Sequence, residues 1–473
     1  MDFNRDFRML IGGEMVAGAA RLSVENPATG SSFATVPDAS PEQLDAAVAA
    51  ARAAFPAWRD ASIEIRRAAI MALADRLIAH VDPMKRLLTS EQGKPHMDAT
   101  EEVLGAAAWF KATASLDIPV TVNEDSDIRY SETRYVPLGV VGAIAPWNYP
   151  LILAAFKLGP ALLAGNCVIL KPSPYTPLTA LKLGEMAKDI LPTGVLNVVS
   201  GGDALGPRLT AHPGIDKISF TGSTATGKRV MAAAADTLKR VTLELGGNDP
   251  AIVMHDADVA RLAEELFWAA FGNAGQICIA SKRMYVHAEV YDELRDAMVA
   301  FARSVKVGDG AEQGTRVGPV NNPQQYERVL ELIDDSRKRG HRFALGGETP
   351  KGPGYFVPLT IIDNPPPDSR IVREEQFGPV LPMIRFDDYD AVVTQANDSE
   401  YGLGASIWGS NEDAAWAIAE RIESGNVWVN ETRHLSPLVA FSGHKQSGHG
   451  VENGIAGLLE FMVSKTITRR RSK

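Results

Sequence analysis

The sequence holds two cysteines, and their settings point to different chemistry. Cys278 lies in Gly272-Asn273-Ala274-Gly275-Gln276-Ile277-Cys278-Ile279, a polar turn broken by two glycines and running toward a strand. A nucleophilic cysteine must open onto a cleft and ionise. A free thiol, with a pKa of about 8.5, is mostly protonated near neutrality, so its site has to favour thiolate or supply a base. On composition Cys278 reads either as such a nucleophile or as a buried structural thiol, and no Cys–His pair is evident around it. Cys167 opens the apolar run Asn166-Cys167-Val168-Ile169-Leu170 and reads as a small core residue. Glu244 ends an apolar strand pattern in Leu243-Glu244-Leu245-Gly246-Gly247-Asn248. Burial there raises a carboxylate's pKa and makes it a useful base, while the two glycines let backbone approach a ligand closely. The other reading of Glu244 is a strand-end ion pair.

Three more segments carry ligand-type chemistry. Phe220-Thr221-Gly222-Ser223-Thr224-Ala225-Thr226-Gly227-Lys228 joins a strand to a helix, with Gly222 expected at an unusual backbone angle and Ser223 or Thr224 as cap. Such a helix start attracts anions, but the segment matches neither the dinucleotide glycine fingerprint nor a P-loop, and a plain cap is the competing reading. Lys171-Pro172-Ser173-Pro174 places a lysine at a strand end, to grip a ribose or phosphate or simply to be solvated. Pro146-Trp147-Asn148-Tyr149-Pro150 holds an amide and two aromatics between prolines. It reads as a rigid turn or as a donor, through Asn148, to a developing oxyanion.

The elements that position these residues follow from patterning. Short apolar runs at 139–145, 167–171, 196–200, 217–221 and 241–245 alternate with helix patterns at 151–163, 177–190, 203–211 and 224–234. That alternation predicts an α/β fold with a parallel sheet covered on both faces, and ligands of such sheets bind beyond the carboxyl ends of the strands. The loops 146–150, 171–176, 201–203, 222–227 and 246–248 all lie at those ends and are expected to meet at one crevice. A second α/β lobe is read from strands at 251–254, 284–287 and 427–430 with helices at 259–272 and 290–305. Earlier in the chain, a turn at 26–30 and a helix start at Ser40-Pro41-Glu42-Gln43 precede helix patterns at 44–55 and 63–78. The alternating apolar positions Val122, Ile128 and Tyr130 fit an exposed hairpin in need of a partner.

Composition narrows the classes. Forty-eight basic against 58 acidic residues leave a net charge of −10, and with no basic stripe this argues against nucleic acid as the main partner. Length alone, at ~150 residues per domain, gives about three lobes. Two cysteines make neither a disulfide framework nor, alone, a zinc site, so no metal is expected and a reducing cytoplasm fits. The start Met1-Asp2-Phe3-Asn4-Arg5-Asp6 carries acids where a secretory signal needs a basic region. The apolar stretch 138–170 is interrupted by Pro146, Asn148, Pro150, Lys157 and Pro160, and reads as buried strand, loop, helix and strand rather than a membrane span. The tail Arg469-Arg470-Arg471-Ser472-Lys473 reads as a solvated end or a subunit contact.

In order along the chain, these segments resemble the aldehyde dehydrogenase superfamily. The motifs that carry the resemblance are Pro146-Trp147-Asn148-Tyr149-Pro150, Lys171-Pro172-Ser173, Phe220-Thr221-Gly222-Ser223, Leu243-Glu244-Leu245-Gly246-Gly247, Gly275-Gln276-Ile277-Cys278, Glu375-Gln376-Phe377-Gly378-Pro379 and Ser442-Gly443-His444-Lys445-Gln446-Ser447-Gly448. The resemblance implies Cys278 as nucleophile, Glu244 as general base, and Asn148 with the Cys278 N–H as oxyanion hole. It implies Lys171 on the adenosine ribose, Ser223 on the pyrophosphate and Glu375 on the nicotinamide ribose with Phe377 nearby. Trp147, Ser173 and Gly222 also fall on the cofactor side. Lys157 and Glu452 match positions associated with proton movement. It further implies a dinucleotide-binding domain over 1–118 and 137–245 and a catalytic domain over 246–445. The segments 119–136 and 460–473 are then bridging strands of a homodimer or homotetramer.

Two departures from the family pattern bear on specificity. Pro174 stands where many NAD-preferring relatives carry a glutamate, which opens the way to NADP while the expectation leans to NAD; Val451 replaces an arginine common before Glu452. Phe156 stands where succinate-semialdehyde enzymes typically carry an arginine. With Leu153, and with Trp109 and Phe110 nearby, it suggests an apolar or aromatic aldehyde, whereas Arg433 and His434 suit an anion. The alternatives are an acylating, coenzyme A-dependent enzyme and a catalytically silent protein on the same scaffold. Retention of both Cys278 and Glu244 argues against each.

Overall fold

Ser40 and Gln43 cap each other's backbone at the start of the helix Pro41–Asp60: Gln43 N–H donates to Ser40 Oγ at 3.2 Å and Ser40 N–H to Gln43 Oε1 at 3.0 Å. Helix and cap thus follow the sequence signal. The computed structural model describes residues 2–3, 5–349 and 351–471. Met1, Asn4, Pro350, Ser472 and Lys473, including the last two residues of the basic tail, lie outside the described residues.

The continuous apolar runs form the middle of an eight-stranded sheet. Leu196–Val198, Cys167–Lys171, Val140–Ile144, Lys217–Thr221 and Arg240–Glu244 lie side by side in that order, all parallel. Most are buried along their whole length because helices cover both faces, among them Pro150–Ala164 with nearly every residue in the core. From Val140–Ile144 the chain winds outward through two strands, then crosses back to Lys217–Thr221 on the other side. The helices at these two strand ends diverge there, and the reversal opens a crevice at the carboxyl ends. Short antiparallel strands close the edges: Met9–Ile11 and Glu14–Val16 at one, Gly448–His449 at the other.

The N-terminal region differs from the expected turns and helices. Besides the two edge strands it contains the hairpin Ala20–Asn26 with Ser31–Asp38, whose loop is the expected turn. These strands are short or half-exposed, so they lack the apolar runs by which the central strands announce themselves.

A second, seven-stranded sheet builds the other lobe. Asp249–Val253, Ser281–His287, Val380–Phe386, Thr360–Asp363, Gly404–Trp408 and Asn426–Val429 are parallel, with Arg342–Leu345 antiparallel at the edge. A third sheet joins Thr121–Asp125, Arg129–Pro137 and Met462–Arg470, the last two paired from Met462↔Pro137 to Arg470↔Arg129. Its side chains are largely exposed, including Val122, Ile128 and Ile467. The molecule is therefore an α/β fold of two sheets covered by helices, with a small bridging sheet. Among the described residues no helix is long and apolar enough to cross a membrane.

Candidate active site

Cys278 owes its position to an unusual turn. The helix Val259–Phe271 ends, and Asn273, Ala274 and Gly275 follow with φ of 49°, 55° and 72°. Left-handed backbone at a non-glycine residue is strained and persists only where the surroundings enforce it. Here Gln276, fully buried, donates through Nε2 to Asn273 O at 2.9 Å and accepts at Oε1 from Asn321 N at 2.8 Å. Gly275 is packed so closely that a Cβ would lie 2.2 Å from Gly378 O. Beyond the turn, Lys282 Nζ donates to the carbonyls of Cys278 at 2.5 Å and Ile277 at 2.8 Å. The thiol is thereby held at the wall of a cleft of ≈ 210 Å³.

Opposite lies Glu244, at the carboxyl end of Arg240–Glu244 and paired in register with Thr221. It is 4% exposed, and neither carboxylate oxygen has a hydrogen-bond partner among the described residues. The strand-end ion-pair reading does not hold for it. Burial, reinforced by the negative charge of Glu452, pushes its pKa up to about 8. The Cys278 thiol is likewise raised well above its usual range, by burial and then by the charge of Glu244. Both shifts favour the protonated forms. Thiolate forms only when something else in the site compensates it.

Asn148 faces the same cleft. Its Nδ2 donates one hydrogen to Gln276 O at 3.0 Å, which leaves the second for another acceptor. Its carbonyl is clamped by Lys94 Nζ at 3.0 Å and Asn273 Nδ2 at 3.1 Å. Lys94 is paired at 2.5 Å with Glu102, and both side chains are fully buried. The other oxygen of Glu102 accepts from Leu151 N at 2.9 Å, at the start of the helix Pro150–Ala164. This buried pair fixes the loop that carries Asn148. Sequence reasoning missed Lys94, Glu102, Asn273 and Lys282, because a buried lysine or asparagine carries the same letter as a solvated one.

The remaining wall is suited to a dinucleotide. Gly222 and Ser223 open the helix Thr224–Ala235, with Ser223 Oγ capping Thr226 N at 3.3 Å. Gly222 does not have the left-handed backbone expected of it. It is needed for space, since a Cβ would lie 2.6 Å from the Phe220 ring. Glu375 accepts from Gly247 N at 3.0 Å and lies 3.3 Å from Lys282 Nζ. Phe377, at φ 48°, meets the edge of Trp147 at 5.3 Å between ring centres. Lys171 ends the adjacent strand, opposite Ile144. It is not solvated: it is 5% exposed, donates to Pro172 O at 3.2 Å, and burial lowers its pKa to about 8. Ser173 Oγ accepts from Tyr175 N in the loop beyond. Gln325 and Arg328, on the helix Pro323–Lys338, also line the cleft, and nothing in the sequence singled them out.

Behind Glu244, fully buried Lys157 donates from Nζ to Thr221 Oγ1 and to Glu452 Oε1, each at 2.7 Å. Leu153 and Phe156 are on the same helix as Lys157, and Phe156 stacks on Trp109 at 4.6 Å. Phe110 is wholly interior. A separate apolar cluster of Ile277, Ile279, Ala280, Leu403 and Phe441 packs against Cys278, Tyr149, Trp428 and Leu435. The thiol thus stands between a polar cleft and an apolar cluster. Among the described residues no group of His, Cys, Asp and Glu is arranged to hold a metal.

Comparison with known proteins gives a consistent answer. The sequence pattern of the aldehyde dehydrogenase family matches residues 15–467. An aldehyde dehydrogenase of a Fusarium species is 43% identical over 469 residues, covering 99% of both chains. Phenylacetaldehyde dehydrogenase of Pseudomonas fluorescens is 41% identical and covers 97% of this chain and 95% of its own. The structure of an aldehyde dehydrogenase from Bacillus cereus in complex with NAD+ superimposes with a TM-score of 0.97 at 36% identity, over 99% of this chain and 98% of that one.

Proposed function

Because this chain belongs to the aldehyde dehydrogenase family, we propose that its cleft oxidises an aldehyde to the carboxylic acid through an acyl group carried on Cys278. The observation that supports this most is the meeting of Cys278, Glu244 and Asn148 in one cleft whose far wall is a capped helix start and Glu375. Sγ attacks the carbonyl carbon as its proton passes to the ionised form of Glu244, which releases it again before the second step. The free hydrogen of Asn148 Nδ2 and the Cys278 N–H then face the developing oxyanion, each such donor contributing about 3–4 kcal/mol. A nicotinamide dinucleotide, when bound, supplies the acceptor for the hydride. Collapse of the tetrahedral adduct leaves a thioester on Cys278, so one hard oxidation becomes two easier steps. Glu244 next takes a proton from the water that attacks this thioester, releasing acid and thiol. Lys157 and Glu452 stand behind Glu244 to carry away the thiol proton that it took in the first step.

The residues present fit the dinucleotide. Ser223, Gly222 and the helix start would hold a pyrophosphate, Lys171 and Ser173 the adenosine end, and Glu375, Phe377 and Trp147 the nicotinamide end. Pro174 removes a carboxylate that would repel a 2′-phosphate, so either NAD or NADP is compatible; the reading leans to NAD, the ligand of the similar Bacillus cereus structure. The substrate is read as an apolar or aromatic aldehyde, in keeping with the apolar cluster beside Cys278 and with the phenylacetaldehyde relative. A cytoplasmic homodimer or homotetramer, joined through the exposed three-stranded sheet, completes the reading.

The test is chemical. Glu244→Gln protein mixed with NAD and benzaldehyde should show, by intact mass, one acyl group on Cys278, and added coenzyme A should yield no thioester in solution. NADH formation with Cys278 left unmodified would defeat the acyl route; coenzyme A capture would point to the acylating alternative.

A further inference from the structure

The loop after the strand Asn426–Val429 carries a cation that the reaction above does not use. Arg433 sits there at φ 57°, between Trp428 and Leu435, both of which pack in the apolar cluster around Cys278. Its guanidinium lies over Gly272. A Cβ built on that glycine would fall 2.5 Å from Arg433 Nη1 and 3.5 Å from Ile277 Cδ1, so the cation and the side chain next to the thiol flank the same glycine. Trp428 Nε1 donates to the His434 carbonyl at 3.1 Å and fixes the loop at that point. Arg433 Nε is buried and has no hydrogen-bond partner among the described residues. The titratable groups that face the guanidinium are Asp98 and Glu101, on the helix His96–Ala114, and Tyr149 beside Asn148. His434, by contrast, is exposed and lies 3.4 Å from Glu431.

A buried guanidinium Nε without a partner is poorly satisfied, and an incoming carboxylate is the ligand the planar fork fits best. An apolar body would lie against the half-buried side chains of Trp428 and Leu435, which pack on the cluster of Ile277, Ile279 and Phe441. We propose that Arg433 selects the substrate: an aldehyde with an aromatic or apolar body and a carboxylate at its far end. The proposal rests on the aldehyde-oxidising reading and narrows it. It also reconciles the apolar cluster, which alone suits a neutral aldehyde, with the cation at its rim.

The experiment compares kcat/KM for 4-carboxybenzaldehyde with that for the neutral isostere 4-formylbenzamide. The native enzyme should favour the carboxylate by roughly 10- to 100-fold, the range expected for a hydrogen bond to a charged group. Arg433→Met should bring that ratio toward one, and Arg433→Lys should keep part of it. Because the readout is a ratio within each protein, loss of active enzyme does not mimic the effect. Independently of turnover, calorimetry on Cys278→Ala protein should show 4-carboxybenzaldehyde binding that the added Arg433→Met change weakens. A native ratio near one, a ratio indifferent to Arg433, or binding unaffected by the substitution would each overturn the proposal. Turnover of benzaldehyde and hexanal alone would leave the family reaction standing and the arginine without its role.

Discussion

Cys167 and Cys278 carry the same thiol, and their surroundings drive both toward the protonated form. Burial lifts Cys167 to about 12, while burial and the charge of Glu244 lift Cys278 well above its usual range. An unusually acidic thiol is therefore not what separates them. Cys167 begins a central strand, is wholly interior, and is fixed by a bond from its N–H to Gly139 O at 3.1 Å. Cys278 stands at a cleft wall with an unpaired carboxylate across from it and amide donors beside it. The difference lies in access and in neighbours that can take a proton during attack.

The comparison is sharpest by substitution. Cys278→Ala should abolish aldehyde oxidation, lowering kcat by at least ~10⁴-fold because no thiohemiacetal can form. Cys167→Ala should leave turnover within about twofold of the native value, since Cys167 is wholly interior and does not line the cleft. Steady-state NADH formation reads both, and residual oxidation by the Cys278 variant would break the contrast.

The carboxylate comes next. Glu244→Gln should slow the steady state by ~10²–10⁴-fold, the usual contribution of a general base, while leaving a first-turnover burst of NADH. Full steady-state turnover would remove Glu244 from the scheme. The same residue sets a pH dependence whose sign is fixed. With a pKa of about 8 in the folded protein, Glu244 is protonated and useless as a base below that pH. Hydrolysis of a preformed acyl enzyme should therefore fall about tenfold per unit as pH drops below 8 and level off above it. Glu452→Gln removes the like charge that helps hold this pKa up, so the midpoint should move to lower pH. A midpoint that stays put would show that burial alone sets it.

The contrast also explains what the sequence disclosed. The central strands, the loops at their ends and the residues Cys278, Glu244, Asn148, Ser223 and Glu375 were legible. Continuous apolar runs mark parallel strands, and polar or glycine-rich turns at their ends mark where side chains can meet. Lys94 and Glu102 were not, because their role comes from burial between segments far apart in the chain. Asn273 and Ala274 were not either: their left-handed backbone is imposed by Gln276, Gly378 and Asn321 rather than by their own preferences.

The smallest expected effect tests the other side of the comparison. Cys167 loses little by becoming alanine: one sulfur is removed from a dense core, and a void smaller than a water molecule remains. On the scale of buried-group deletions this costs about 1–2 kcal/mol. The urea midpoint should fall accordingly with an unchanged slope, since the folded and unfolded surfaces are nearly the same. Iodoacetamide should meanwhile label the native protein at Cys278 and leave Cys167 untouched until the chain unfolds. Labelling of Cys167 in the folded state at a rate close to that of Cys278 would show that interior burial does not protect it, and the distinction between the two thiols would then have to rest on Glu244 alone.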